Sequence, residues 1–404
     1  MTIGIDASRA NLLHKTGTEW YSFYLIKYLA VLDRNNKYIL YVNKEPRAEL
    51  VSAIKDNPNF SIKLLHWPFQ SFWTLGRLTW EMLWRRPDVL FIPAHALPLF
   101  GPLRTVNTIH DIAFLREQNL YRSIKVKTDL MASRRLINFL VRILTLGRYR
   151  SESVDYLYWS TTFALHHAKR IIAVSEFTKR EILDLYPKTP ASQIAVIHNG
   201  YNNELFRPVN DPEKTKAVLD KYDLSSQFFL YTGRLEKKKN TATLVEAFAL
   251  FREDHPQSEM KLVLIGDAGF GYDEVKYVIQ EFNLEEEVQM PGWVDEEDLP
   301  YIFGAASAFI FPSKHEGFGI PVLQALACGL PTAVSDLPVL REIAGDAVLY
   351  FDQNDKREIS RAMERIAGDE ALRQELRAKG RERAQGFSWQ KCAAETLALI
   401  ESLK

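Results

Sequence analysis

Short apolar runs recur along the chain, separated by stretches whose apolar positions fall on one helical face. In the first half the runs Ile3–Ala7, Tyr38–Val42, Ile62–Leu65, Val89–Pro93, Thr105–Ile109, Ile171–Val174 and Ala195–Ile197 predict strands, and Glu19–Leu32 and Phe177–Leu185 predict helices. The rhythm breaks over 201–226, where Pro208, Pro212 and several Asn and Asp residues surround a short Lys-rich piece, and this stretch is expected to be a linker. A second series comes after it. Strands are predicted at Phe228–Tyr231, Leu262–Ile265, Val288–Met290, Ala308–Phe311, Thr332–Val334 and Val348–Phe351, with helices at Ala242–Arg252, Glu274–Phe282, Asp298–Gly304 and Val322–Ala327. Strands apolar at every position are buried on both faces, which is the pattern of parallel sheets covered by helices. The expected fold class is therefore α/β, with one domain over 1–200, a second over 227–385, and a polar, helix-rich tail running to residue 404. No short repeat is evident, so a solenoid is not expected.

Composition narrows the class further. The chain has 404 residues, enough for one to three domains, with 47% hydrophobic and 25% charged residues, as in ordinary folded proteins. Lys and Arg number 51, as do Asp and Glu, so no polycationic nucleic-acid coat is indicated. Cys328 and Cys392 form no CxxC pair and read as reduced thiols. Met1–Asp6 starts as a strand without a basic leader region, and no apolar run is long enough to span a bilayer, so a cytoplasmic protein is expected. One region departs from the pattern. Trp67, Phe69, Phe72, Trp73, Trp80 and Trp84 interleave with Arg77, Arg85 and Arg86, and Lys125, Lys127, Arg134, Arg135, Arg142, Arg148 and Arg150 surround the apolar run Leu136–Leu146. This suits either an anionic membrane surface or a packed helix pair with a basic rim.

Chemistry concentrates at strand ends. Phe311–Pro331 holds Glu316, Gly317, Phe318, Gly319, Ile320 and Pro321 between a predicted strand and helix, then Gln324 on the helix. Glycines there let backbone amides approach a ligand at the positive helix end, as in a diphosphate cradle. Glu316 is placed to take hydroxyls or to oppose positive charge on a sugar ring. In Tyr231–Asn240, Gly233 turns the chain, and Arg234 and Lys239 supply a bidentate fork and a point charge for a diphosphate, while Lys237 and Lys238 read as solvated. His110 and Asp111 end a strand, where α/β proteins place site residues; His110 is expected to donate a hydrogen bond to a substrate hydroxyl, and Asp111 to orient it or cap the next segment. Lys15–Glu19 contains a further candidate glycine turn at Gly17, and His198–Gly200 closes the last strand of the first domain. Ser175 reads as a helix cap. Dinucleotide, P-loop, zincin and serine-hydrolase fingerprints are missing, and no acidic cluster has metal-ligand spacing, so no metal is expected.

With these motifs the chain resembles retaining glycosyltransferases of sequence family four, over almost its whole length and most strongly at Phe311–Pro331, Phe228–Asn240, Thr105–Phe114 and Arg170–Gly200. The resemblance implies a GT-B fold: two Rossmann-like domains facing across a cleft, the last helix, within 386–404, crossing back to pack on the N-terminal domain. It implies a metal-independent enzyme with a GDP- or UDP-linked sugar as co-substrate and no other cofactor. By position, Arg234 and Lys239 resemble the diphosphate-binding pair, and Glu316 the first carboxylate of the family's paired signature. Gly317, Phe318, Gly319 and Ile320 resemble its amide-bearing loop, His110 the histidine that touches the donor sugar, and Gly17 the flexible glycine-loop position. Trp293 falls near the region around the base. One position departs: eight residues after Glu316 stands Gln324, not the second glutamate that holds the ribose hydroxyls, so the charge-assisted part of that contact is lost.

The stretches Thr108–Phe114 and Tyr231–Glu236 further resemble O-antigen-type mannosyltransferases. The leading expectation is a hexosyltransferase acting on a polysaccharide or glycolipid acceptor, peripheral at the inner face of the cytoplasmic membrane, with no nucleic-acid partner. A non-transferring nucleotide-sugar-binding or partner subunit, motivated by Gln324, is the alternative. A sugar-nucleotide epimerase is a third reading.

Overall fold

A computed structural model describes residues 1–67, 73–116 and 153–404, and it divides into two compact units: residues 1–200 with 389–404, and residues 201–388. The first unit is built on seven strands: β1 Thr2–Asp6, β2 Lys37–Val42, β3 Phe60–Leu64, β4 Val89–Ile92, β5 Thr105–Ile109, β6 Arg170–Ala173 and β7 Ile194–Val196. They pair in parallel in the order β3-β2-β1-β4-β5-β6-β7. The order reverses between β1 and β4, so the carboxyl ends of these two strands flank the switch point at which such sheets bind ligands. Every residue of β4 and β5 is buried; this accounts for the unbroken apolar run of β4, while β5 buries Thr105, Asn107 and Thr108 as well.

The second unit has six strands: β8 Phe228–Thr232, β9 Lys261–Ile265, β10 Val288–Gly292, β11 Ala308–Phe311, β12 Thr332–Ser335 and β13 Leu349–Phe351. These are parallel too, in the order β10-β9-β8-β11-β12-β13, with the switch point between β8 and β11. Each unit is thus a parallel sheet, as the apolar runs imply, and Rossmann-like, as the family resemblance implies.

The stretch 201–226, expected to be a linker, folds with the second unit. It carries the helix Pro212–Lys221, capped by Asp211, whose carboxylate accepts from the Lys214 amide at 3.0 Å, and it buries Phe206 and Val218. Phe206 meets Phe303 edge-on at 6.0 Å, and three buried side chains, Tyr201 among them, leave little trace in the apolar pattern of so polar a segment. At the other end, the helix Trp389–Glu401 returns to the first unit. There Trp389 is buried and stacked on Tyr24, with centroids 5.6 Å apart and planes at 13°.

The aromatic segment splits in two. Trp73 is buried and donates to Asp6 at 3.0 Å, and Trp67 packs on the core of the first unit. Trp80 and Trp84, on the helix Thr79–Trp84, are 60% and 75% exposed. Phe69, Phe72, Leu136–Leu146 and the basic residues Lys125, Lys127, Arg134, Arg135, Arg142, Arg148 and Arg150 lie outside the described residues. Among the described residues no helix is long and apolar enough to cross a membrane.

Candidate active site

In the second unit the two constellations read from sequence come after neighbouring strands, β8 and β11, and their loops are tied together. The Lys314 amide donates to the Lys238 carbonyl at 2.9 Å, and Lys239 Nζ lies 2.5 Å from Glu316 Oε1. Lys239 ends the short turn Lys237–Lys239, and left-handed Asn240 (φ 59°) then starts the helix Thr241–Asp254. The Asn240 side chain anchors that corner by donating to the Gln353 carbonyl at 2.7 Å. The Lys239 ammonium also sits over the Phe311 ring, 5.6 Å from its centroid.

Glu316 is buried. Burial by itself raises its pKa, but the adjacent Lys239 ammonium and that of Lys238 outweigh it, holding the carboxyl below the usual glutamate range. A carboxylate kept ionised at the positive end of a helix is suited to hydrogen-bonding hydroxyls. Lys238, expected to be merely solvated, therefore contributes both its charge and its backbone carbonyl. Lys237 lies 3.9 Å from Glu274 at the surface.

Gly317, Phe318 and Gly319 are buried beside Glu316, with Phe318 edge-on to Phe387 at 6.0 Å. Gly319 caps the helix Ile320–Ala327 with φ 101°, a conformation that side-chain-bearing residues rarely adopt, and Pro321 stands in the first turn. In that turn Pro321 has no amide hydrogen, and the Val322 and Leu323 amides donate to the Gly319 carbonyl at 3.0 and 3.4 Å. Ile320 and Gln324 are half-buried on that helix. Arg234 comes directly after Gly233, is exposed, and has Nε 3.9 Å from Glu236. Trp293 is half-buried directly after β10, two strands away from β8. The unit thus brings Glu316 and Lys239 into direct contact, with Arg234 on the same loop as Lys239.

In the first unit, Gly17 is exposed and opens the helix Gly17–Leu32 after the β1 loop. The turn around it forms a capping box: the Thr16 amide donates to Glu19 at 3.2 Å, and Glu19 pairs with Arg9 at 2.7 Å. Lys15 is buried against Trp20 and Phe23 and paired with Glu49. His110, at the end of β5, is half-buried, and its Nε2 lies 3.0 Å from the Pro93 carbonyl. A carbonyl only accepts, so that nitrogen carries the proton. The expected donation from His110 to a substrate is corrected accordingly, because its N–H is already committed within the protein. Burial, then the neighbouring His95, lowers its pKa to about 4. The Asp111 carboxylate accepts from the Ala113 amide at 3.3 Å and so caps the adjoining turn, while Ser175 caps the helix Glu176–Leu185, accepting from the Thr178 amide at 3.0 Å. His198 is half-buried and Asn199 buried after β7. His95 had no sequence signal, being a lone histidine outside any motif. Among the described residues no three His, Cys, Asp or Glu side chains converge as metal ligands.

Residues 16–205 match the family described as Glycosyltransferase Family 4, and residues 214–383 match that described as Glycosyl transferases group 1. Over 259 residues the chain is 33% identical to the O-antigen chain mannosyltransferase B of Escherichia coli, a match covering 64% of this chain and 67% of that one. The chain belongs to glycosyltransferase family 4. This glycosyltransferase is also 26% identical over 252 residues to the serotype-specific mannosyltransferase WbdA of Escherichia coli, covering 62% of this chain but 31% of that longer one. Its fold matches sucrose-phosphate synthase from Thermosynechococcus elongatus with a TM-score of 0.73 at 20% identity, covering 100% and 98% of the two chains. The family 4 enzyme thus has the GT-B fold, and it transfers a sugar from a nucleoside-diphosphate sugar to an acceptor.

Proposed function

We propose that this glycosyltransferase moves a hexose, mannose in the first instance, from a GDP- or UDP-linked donor to a polysaccharide or glycolipid acceptor, with retention at the anomeric carbon. The observation that carries the reading is the Lys239–Glu316 contact at the switch point of the second sheet, beside the N-terminus of the helix Ile320–Ala327. Two relatives described as mannosyltransferases support the choice of sugar.

In this reading Arg234, Lys239 and the amides around Gly317–Ile320 meet the negative charge that grows on the diphosphate as the anomeric C–O bond breaks. Glu316 positions the hexose through its hydroxyls and does not form a glycosyl ester. The acceptor hydroxyl forms the new C–O bond on the same face and passes its proton to a phosphate oxygen of the leaving group. Trp293 lines the base, Gly17 the loop facing the ligand, and His110 takes a sugar hydroxyl. At Gln324 a neutral amide meets the ribose, binding the donor more weakly than a carboxylate does. Aromatic and basic side chains at Trp80, Trp84, Arg85 and Arg86 support an anionic membrane surface as the place where the acceptor is met.

A donor panel tests the proposal. Purified protein is given GDP-mannose, UDP-glucose and related sugars, with and without lipid-linked acceptors in anionic vesicles, and nucleoside diphosphate release is measured. One hexose donor is expected to be turned over, with Arg234→Ala lowering turnover by at least a hundredfold and leaving thermal unfolding unchanged. Gln324 favours one second reading, a subunit that binds nucleotide-sugars without transfer. Tight donor binding with no release on any donor supports that reading and removes the first.

A further inference from the structure

Two histidines cross-link the carboxyl ends of β4 and β5 reciprocally. His95, in the loop after β4, lies with Nε2 2.8 Å from the Asp111 carbonyl; His110, directly after β5, lies with Nε2 3.0 Å from the Pro93 carbonyl. Each histidine therefore donates to the loop that carries the other. Because carbonyl oxygens only accept, both rings hold their proton on Nε2. The rings are 6.1 Å apart. Tyr21, from the helix Gly17–Leu32, stands edge-on to His110 at 4.8 Å and 88°, and its hydroxyl is 2.9 Å from that of Thr108 on β5. In a neutral ring so held, Nδ1 bears a lone pair and no hydrogen.

We propose that His95 is a positioning residue: through this reciprocal pair it fixes the tautomer and orientation of His110, making His110 an acceptor that selects a sugar hydroxyl able to donate. The inference rests on the reading that His110 belongs to the sugar site, and it adds the polarity of that contact and the residue that sets it. An acceptor nitrogen rejects a deoxy sugar, which leaves the lone pair unpaired.

The electrostatics agree with a neutral ring. Burial lowers the pKa of His110 most, then the charge His95 carries when protonated. The Pro93 carbonyl and Asp111 raise it, and Arg9 lowers it, leaving about 4. Tyr21 stays uncharged, its buried phenol held well above the usual range. At neutral pH the Nε2–H tautomer is therefore the form a substrate meets.

The test is long-range proton–nitrogen NMR on the full chain labelled with 15N-histidine, titrated from pH 8 to 4, with the His110 signals assigned by their loss in His110→Gln. The wild type is expected to show Nε2 protonated and Nδ1 unprotonated at pH 7, with the ring titrating near pH 4. His95→Phe keeps ring volume but removes the N–H and the like charge. It is expected to mix the Nδ1–H tautomer into His110 and raise its midpoint by half a unit or more. His95→Gln retains an amide donor and is expected to restore the tautomer while leaving the midpoint raised. An Nδ1–H tautomer in the wild type overturns the proposal, as does a His110 spectrum unchanged in His95→Phe. Should His95→Phe fail to fold, His95→Gln and the wild type still decide it. Because no donor is needed, failure here is distinguishable from failure of the transferase reading, which the donor panel tests.

Discussion

Single residues show the site under tension between burial and charge. Glu316 is 7% exposed and Lys239 has an 18% exposed side chain, so each is the other's main compensation. Replacing Lys239 by Met leaves a buried carboxylate whose pKa rises above the ordinary glutamate value, and stability at pH 7 is expected to fall by about 3 kcal/mol. The sign of the pH dependence comes from the lowered pKa of Glu316. In the wild type its contribution is fully present above the unfolded value of about 4.3 and is lost as the pH falls through the lower folded value. In Lys239→Met the shift is reversed, so acid relieves the unpaired charge and the deficit narrows between pH 7 and 4.5. Amide hydrogen exchange at Phe311–Ile320, read at both pH values, checks this. An equal deficit at both assigns the loss to packing on Phe311 and not to the charge pair. Glu316→Gln in the Lys239→Met background is expected to recover part of the stability without recovering transfer.

Elements bring these residues together through close backbone approach. Gly233 and Gly266 end β8 and β9 with φ of 148° and 140°, and the Gly233 amide donates to the Ile265 carbonyl at 2.9 Å. A Cβ on Gly266 would overlap the Gly233 carbonyl oxygen, whereas one on Gly292 meets nothing within 4 Å. Gly266→Ala is therefore expected to lower stability by about 3 kcal/mol and to displace the loop bearing Arg234. Gly292→Ala pays only for its positive φ, about 1 kcal/mol. Chemical denaturation of the two variants side by side tests the contrast, and equal losses would remove the close-approach account. Most of the strands were legible as short apolar runs, such as Ala308–Phe311, and Thr105–Ile109 falls where it was placed although three of its five residues are polar. Glu316 and the Gly-rich helix start were legible from turn chemistry. Their contact with Lys239 was not, since it depends on β8 and β11 being neighbours although β9 and β10 intervene in sequence. Thr16 and Glu19 had the spacing of a capping box, but Gly17 between them equally suits a ligand loop. His95 was invisible because its meaning lies in a reciprocal bond across two loops.

At the scale of the whole chain, the division into units departs from sequence order: the chain leaves the first unit after Gly200 and returns at Trp389. The returning helix is integral to that unit. Trp389 is 1% exposed between Tyr24, stacked at 5.6 Å, and Tyr21, edge-on at 6.0 Å; Glu401 accepts from the Asn36 side chain at 3.1 Å, and the Lys404 carbonyl from Arg104 at 2.8 Å. Residues three hundred or more positions apart are thus joined in one unit, with Tyr24 and Trp389 sharing its core. Trp389→Ala removes an aromatic body from between two rings that remain in place, and a loss of about 4 kcal/mol from the first unit is expected. All of the eight tryptophans except Trp293 lie in that unit, so fluorescence reports its unfolding, while hydrogen exchange in β8–β13 reports the second. The variant is expected to unfold by fluorescence at lower denaturant with exchange in β8–β13 unchanged. Loss of protection in both sets of strands together would mean that the returning helix stabilises the chain as one cooperative body. Tyr21 gives the result a functional edge, because the ring that touches Trp389 also stands against His110. The same substitution should therefore reach the histidine, and Trp389→Phe, which keeps an aromatic ring beside Tyr21, is expected to preserve the His110 tautomer where Trp389→Ala does not.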